Sequence, residues 1–177
     1  FSNCTNLRKI EIPINSDLKI IESYAFSNSS IDVIFIPPKV TKIYSNTFSK
    51  CINLTKIEFL FYSELQTIES YAFSNSNINE IFIPSKVSKI CPHAFSNCEN
   101  LTKIEIPTDS NLQTIEPHAF SNSNINEIFI PSKVSKICSN AFSNCENLVR
   151  VEISTNSNIQ TIESYSFLNT NIEEIYI

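Results

Sequence analysis

Glycine is absent from all 177 residues, and that absence removes several chemistries at once. Phosphate-cradling loops, dinucleotide fingerprints and nucleophile elbows all need backbone positions free of a Cβ. Methionine and tryptophan are also missing, and arginine occurs only twice, at Arg8 and Arg150. A formal net charge of −5 is the wrong sign for nucleic acid, which needs a basic stripe. No apolar run approaches the roughly 20 residues of a membrane span. The two histidines, His93 and His118, have no aspartate within a few residues, and Asp17, Asp32 and Asp109 fall at unrelated positions. Catalysis therefore finds no foothold, and no enzyme, cofactor or metal centre is expected.

What the chain has is repetition. Phenylalanines at Phe1, Phe26, Phe48, Phe73, Phe95, Phe120, Phe142 and Phe167 are spaced alternately by 25 and 22 residues, giving a super-period of 47. Residues 65–111 and 112–158 agree at 38 of 47 positions, the mark of a duplicated pair. Every repeat carries an apolar triad spaced L-x-x-I-x-I, from Leu7, Ile10 and Ile12 to Ile172, Ile175 and Ile177. Its last two members alternate with polar or aromatic residues, the period-two pattern of a half-buried strand. Proline follows at Pro13, Pro37, Pro84, Pro107 and Pro131, where the missing N–H stops the ladder. A second apolar element, V/L-x-x-I-x-x-x-A-F, must run back along the other side of the rung.

One such turn cannot bury its own apolar face, but eight stacked turns build a continuous core. The expected fold is a β-rich solenoid of eight parallel-strand rungs with little or no helix. Strands are expected near residues 8–12, 32–36, 55–59, 79–83, 102–106, 126–130, 149–153 and 173–177, in one sheet, as a single domain over 1–177. The chain begins mid-repeat without methionine, so a fragment of a longer array is expected, with any leader or anchor outside it.

Asparagine takes over the turn positions that glycine would hold. It lies two residues after the repeat Phe in every copy except Lys50, and again just before the strand in every copy except Ser30. Asparagine tolerates the left-handed region better than other residues with a Cβ. Its amides can bond the turn backbone and one another along the stack.

Cys4, Cys51, Cys98 and Cys145 recur every 47 residues, on alternate rungs roughly 9–10 Å apart, too far for the ~7 Å a disulfide permits. They read as small buried thiols, whereas Cys91 and Cys138 read as exposed and unpaired. Sequons at Asn3, Asn28, Asn53 and Asn100 matter only if the chain is secreted. His93 and His118 hold equivalent slots on neighbouring rungs. A metal shared with Cys91 or Glu116 is conceivable there, but a surface turn is the simpler account.

Function is sought on the open face of the strands. One outward column reads Lys9, Val33, Lys56, Glu80, Lys103, Glu127, Arg150, Glu174 and predicts cross-strand ion pairs. The other reads Glu11, Phe35, Glu58, Phe82, Glu105, Phe129, Glu152, Tyr176. The solvent-facing rings of Phe35, Phe82, Phe129 and Tyr176, with Glu58, Glu105 and Glu152 between them, are the candidate protein-binding site.

The run L-x-x-I-x-I-P, then V-x-x-I, then A-F-x-x-C resembles the BspA-like class of leucine-rich repeats. "LTKIEIP" at Leu101–Pro107 and "KVSKICPHAFSNC" at Lys86–Cys98 carry the resemblance, which covers the whole chain. It departs from the family pattern where glycine is usual, after the second Ile and two residues beyond the Phe. The resemblance implies that the open face is concave and that the chain is a cell-surface or secreted adhesin-type module. Its implied partner is a host-cell or extracellular-matrix protein; self-association, a structural spacer and a cytoplasmic interaction scaffold are the alternatives.

Overall fold

The computed structural model describes residues 1–176, and the last triad member, Ile177, lies outside the described residues. The described residues contain parallel strands and turns but no helix. The longer strands are β2 (Val33–Phe35), β4 (Lys56–Glu58), β6 (Glu80–Phe82), β8 (Lys103–Glu105), β10 (Glu127–Ile130), β12 (Arg150–Ile153) and β14 (Glu174–Tyr176). Between them run two-residue strands: β1 (Ile20–Ile21), β3 (Lys42–Ile43), β5 (Thr67–Ile68), β7 (Lys89–Ile90), β9 (Thr114–Ile115), β11 (Lys136–Ile137) and β13 (Thr161–Ile162). Each odd strand pairs with the next odd strand, so the chain winds as a solenoid.

Register follows from the triad. Ile34 faces Ile57, Ile81 faces Ile104, and Ile128 faces Val151, so the branched middle residue stacks on its own kind along the core. These six side chains are buried, as the period-two pattern requires. The eight repeat phenylalanines form the expected spine, with successive ring centroids 5.1–5.4 Å apart and planes within 11° of parallel. The A-F-S-N corner adds a third set of cross-rung bonds; the Phe73, Phe95 and Phe120 N–H groups each donate at 2.8 Å to the alanine carbonyl of the next rung.

Two expectations need correction. The longer strands do not form one sheet of eight. They form a four-stranded run (β2-β4-β6-β8) and a three-stranded run (β10-β12-β14). The Asn126 N–H to Thr102 carbonyl bond, 3.2 Å, joins rungs across the interruption. The first rung contributes only a Lys9–Val33 bridge. Secondly, the return element is itself a seven-stranded parallel sheet. Its strands are too short to display an alternation, so only the buried Ile of V-x-x-I marked them in the sequence.

Both asparagine columns form as read, the first as left-handed turn positions and the second as amides bonding one another along the stack. Asn3, Asn28, Lys50, Asn75, Asn97, Asn122, Asn144 and Asn169 all have φ between 55° and 59°. The second left-handed column is two residues before the Phe: Tyr24, Asn46, Tyr71, His93, His118, Asn140 and Tyr165. The asparagines just before the strand are not in that region and instead bond one another, as Asn147 does by donating to Asn124 at 2.7 Å.

Candidate binding surface

The pleat puts residues on either side of the buried triad centre onto the open face. There the register sets each ring beside a carboxylate: Phe35 faces Glu58, Phe82 faces Glu105, and Glu152 lies between Phe129 and Tyr176. The rings are less open than the sequence suggested. Phe35, Phe82 and Phe129 are half-buried because a residue of the neighbouring rung flanks each of them. Tyr176, on the last described strand, is 50% exposed. Between Phe35 and Phe82 lies a concavity of about 500 Å³, lined also by Lys56, Glu58, Phe59, Leu60, Glu80, Lys103 and Glu105.

The charge column does not pair across strands as expected, except at one end. Arg150 reaches Glu174 on the next strand at 2.9 Å, and the Tyr176 hydroxyl donates to the same carboxylate at 3.0 Å. Those two bonds, Tyr176 first, hold the Glu174 carboxyl below its usual range. Lys56 instead turns to Glu58 two residues along its own strand, at 2.9 Å, and Lys9 turns to Glu11 in the same way. A same-strand partner on the same face is as near as the cross-strand one, so alternation of sign does not dictate the pairing. Among the described residues Glu80, Lys103, Glu105, Glu127 and Glu152 make no ion pair within 4.0 Å, so four carboxylates stand against one ammonium on this face.

Cross-rung pairing recurs regularly in the short-strand sheet. Lys42–Glu69, Lys89–Glu116 and Lys136–Glu163 repeat every 47 residues. The Lys136 bond, then the Ser139 N–H, lower the Glu163 carboxyl. Cys91 and Cys138 sit in this column between the glutamates. Contrary to expectation, Cys138 is buried and Cys91 half-buried, both near the charges of the lysines and glutamates of this column. Cys51, Cys98 and Cys145 are buried and Cys4 half-buried on its end rung; all six cysteines are free.

The histidines are explained by the turn. His93 and His118, both at positive φ, stack at 4.6 Å and 5°, and Tyr71 continues the column at 4.7 Å. Histidine is among the residues that enter the left-handed region more readily than most. Among the described residues no group of three or more His, Cys, Asp or Glu converges on a metal position. Among the described residues no helix is long and apolar enough to cross a membrane.

One element of this surface went unread in the sequence. Leu60, Phe61 and Tyr62 occupy the turn after β4, where the rung 47 residues later carries Pro107, Thr108 and Asp109. Aligning the super-period would have shown it as an apolar departure from a polar turn.

A parallel solenoid of this period with a triad-lined core defines a leucine-rich repeat protein. The model of the BspA type leucine rich repeat region matches in six copies over residues 1–102 and 66–177, and the chain belongs to that family. It is similar to a leucine rich cell surface protein of Faecalibacterium prausnitzii (25% identity, TM-score 0.63, 99% of this chain and 55% of that one). A leucine-rich repeat protein of Bacteroides ovatus (22%, TM-score 0.54, 99% and 56%) and the pneumococcal vaccine antigen PcpA (19%, TM-score 0.57, 89% and 56%) share the fold. The chain thus spans about half the length of these structures. No curated protein gives a significant sequence match.

Proposed function

We propose that this chain is a non-catalytic protein-binding module of a surface or secreted protein, engaging a host-cell or matrix protein through the open face of its longer strands. The observation that carries this reading is the stripe of Phe35, Phe82, Phe129 and Tyr176 interleaved with Glu58, Glu105 and Glu152. Aromatic rings anchor protein interfaces, and Glu105 and Glu152, which have no cation of their own within 4.0 Å, select basic partners. The cell-surface neighbour from Faecalibacterium and the pneumococcal antigen support a surface location. Replacing Phe82 and Phe129 together with Ser tests the face. The double variant should remain folded and should lose the proteins that the intact module retains from a host-cell or matrix extract. Equal capture by the two would leave the stripe as strand chemistry copied by duplication.

A further inference from the structure

We infer that the Leu60–Phe61–Tyr62 turn is the specificity-setting anchor of this surface, and that it receives an extended partner segment pairing an apolar side chain with a basic one. The inference rests on the proposed binding role of the open face. Phe61 is 80% exposed, the most of any large hydrophobic residue described, and Tyr62 is 49% exposed. Their rings meet edge to face at 5.0 Å and 87°. Leu60, directly before them, lines the concavity between Phe35 and Phe82, so the turn and the groove are continuous.

The fold does not require these residues. The Ser63 N–H donates to the Leu60 carbonyl at 2.9 Å, and the Ser110 N–H to Pro107 at 3.0 Å. The buried hydroxyls of Ser63 and Ser110 accept from the N–H of Leu65 (3.3 Å) and Leu112 (3.2 Å). The same turn therefore forms on Pro107-Thr108-Asp109 without any aromatic side chain. Duplication accounts for Phe82 and Phe129, which recur, but not for a change that puts two rings into water.

Charge chooses the partner. Lys56 is committed to Glu58 and Lys86 to Glu64, which leaves Glu80 and Glu105 facing the concavity with Lys103 alone. An apolar side chain fits the groove, and a lysine or arginine beside it meets two carboxylates and the faces of Phe61 and Tyr62.

The decisive variant copies the later rung: Leu60→Pro, Phe61→Thr and Tyr62→Asp, with Phe61→Thr alone as a milder form. The probe is an array of short peptides in which Leu or Phe is followed by Lys or Arg, with matched peptides carrying Glu for the base or Ser for the apolar residue. The intact chain should retain the apolar–basic peptides selectively and lose them in added salt. The triple variant, melting as the parent does, should bind them more than about tenfold more weakly. Selection of acidic peptides, no retention of any peptide, or equal binding by both turn variants overturns the inference. If the Phe82→Ser, Phe129→Ser double variant loses the peptides while the turn variants keep them, the face binds and the turn assignment fails. If none of the variants loses them, both readings fail. Sedimentation of the parent against the triple variant covers the remaining occupant. A dimer that the turn substitutions dissolve would make a second copy the partner and overturn the assignment to a cationic segment.

Discussion

The rings of Phe73 and Phe95 lie 5.1 Å apart and 11° from parallel, and neither is exposed to solvent. Each ring thus forms part of the packing surface of the next, and the contact recurs along the spine. Phe95→Ala removes a ring from the middle of that stack and opens a cavity against Phe73 and Phe120. The expected loss is about 3–5 kcal/mol. Because each rung touches only its neighbours, the damage should be local. Hydrogen exchange should rise first in β5, β7 and β9, and protection lost evenly along the chain would contradict the spine.

The spine was legible because large apolar residues at a fixed period leave few alternatives. Phe1 to Phe167, the triads and the left-handed asparagines all follow from side chain type and spacing. Less legible were features set by relationships between rungs. The short-strand sheet is two residues wide, too narrow for a pattern. Lys56 chooses Glu58 over Glu80 by local geometry that alternation of sign does not encode. Cys138 is buried while Cys91, at the equivalent repeat position, is half-buried, a difference the repeat does not encode. The candidate rings were placed on the correct face but judged too open, because a single strand does not show what flanks it.

The thiols should differ in reactivity although all six are free. Burial raises the Cys98 thiol to about 12, despite bonding by Ser76, and pushes Cys51 and Cys145 upward as well. At pH 8 a thiol reagent should label Cys4 rapidly and leave Cys98 untouched until the chain unfolds. Denatured protein without reductant should yield six labels. Rapid native labelling of Cys98, read by peptide mass, would show that the core beside the spine opens.

Acid should weaken the fold in two stages. Burial first, and the stacked His118 second, lower His93 below its ordinary 6.5. The unfolded chain therefore binds a proton at higher pH than the folded one. That contribution is complete above 6.5 and falls away as pH drops through the folded value. Glu69 and Glu163, lowered from 4.5, add a second loss further down, as their bonds to Lys42 and Lys136 are protonated away. Burial opposes the shift at Glu69, but the lysine and Ser45 bonds outweigh it. His93→Asn, which copies Asn140 at the same left-handed position, should flatten the first stage and leave the second. Melting temperatures of both proteins from pH 8 to pH 4 make the comparison, and parallel curves would exclude His93 as the source.

Lys50 is the one residue in its left-handed column that is not asparagine, at φ 58°. A lysine there takes the strain of a Cβ without an amide to bond its neighbours. The column is tied toward both ends: Asn28 donates to Asn3, Asn122 to Asn97, Asn144 to Asn122 and Asn169 to Asn144, each at 2.8 Å. At the Lys50 rung the ladder stops, and Asn75 donates to Ser74 of its own rung, also at 2.8 Å. Lys50→Asn should relieve the backbone and let the amides of Asn28 and Asn75 join through it. Relief of left-handed strain is worth about 1 kcal/mol, or a rise of roughly 2–4 °C in melting temperature for a chain of this size. Lys50→Ala separates the two causes, since it keeps the Cβ and provides no amide, and it should not stabilise. A Lys50→Asn variant that melts at or below the parent would mean that the lysine side chain makes a compensating contact at this corner.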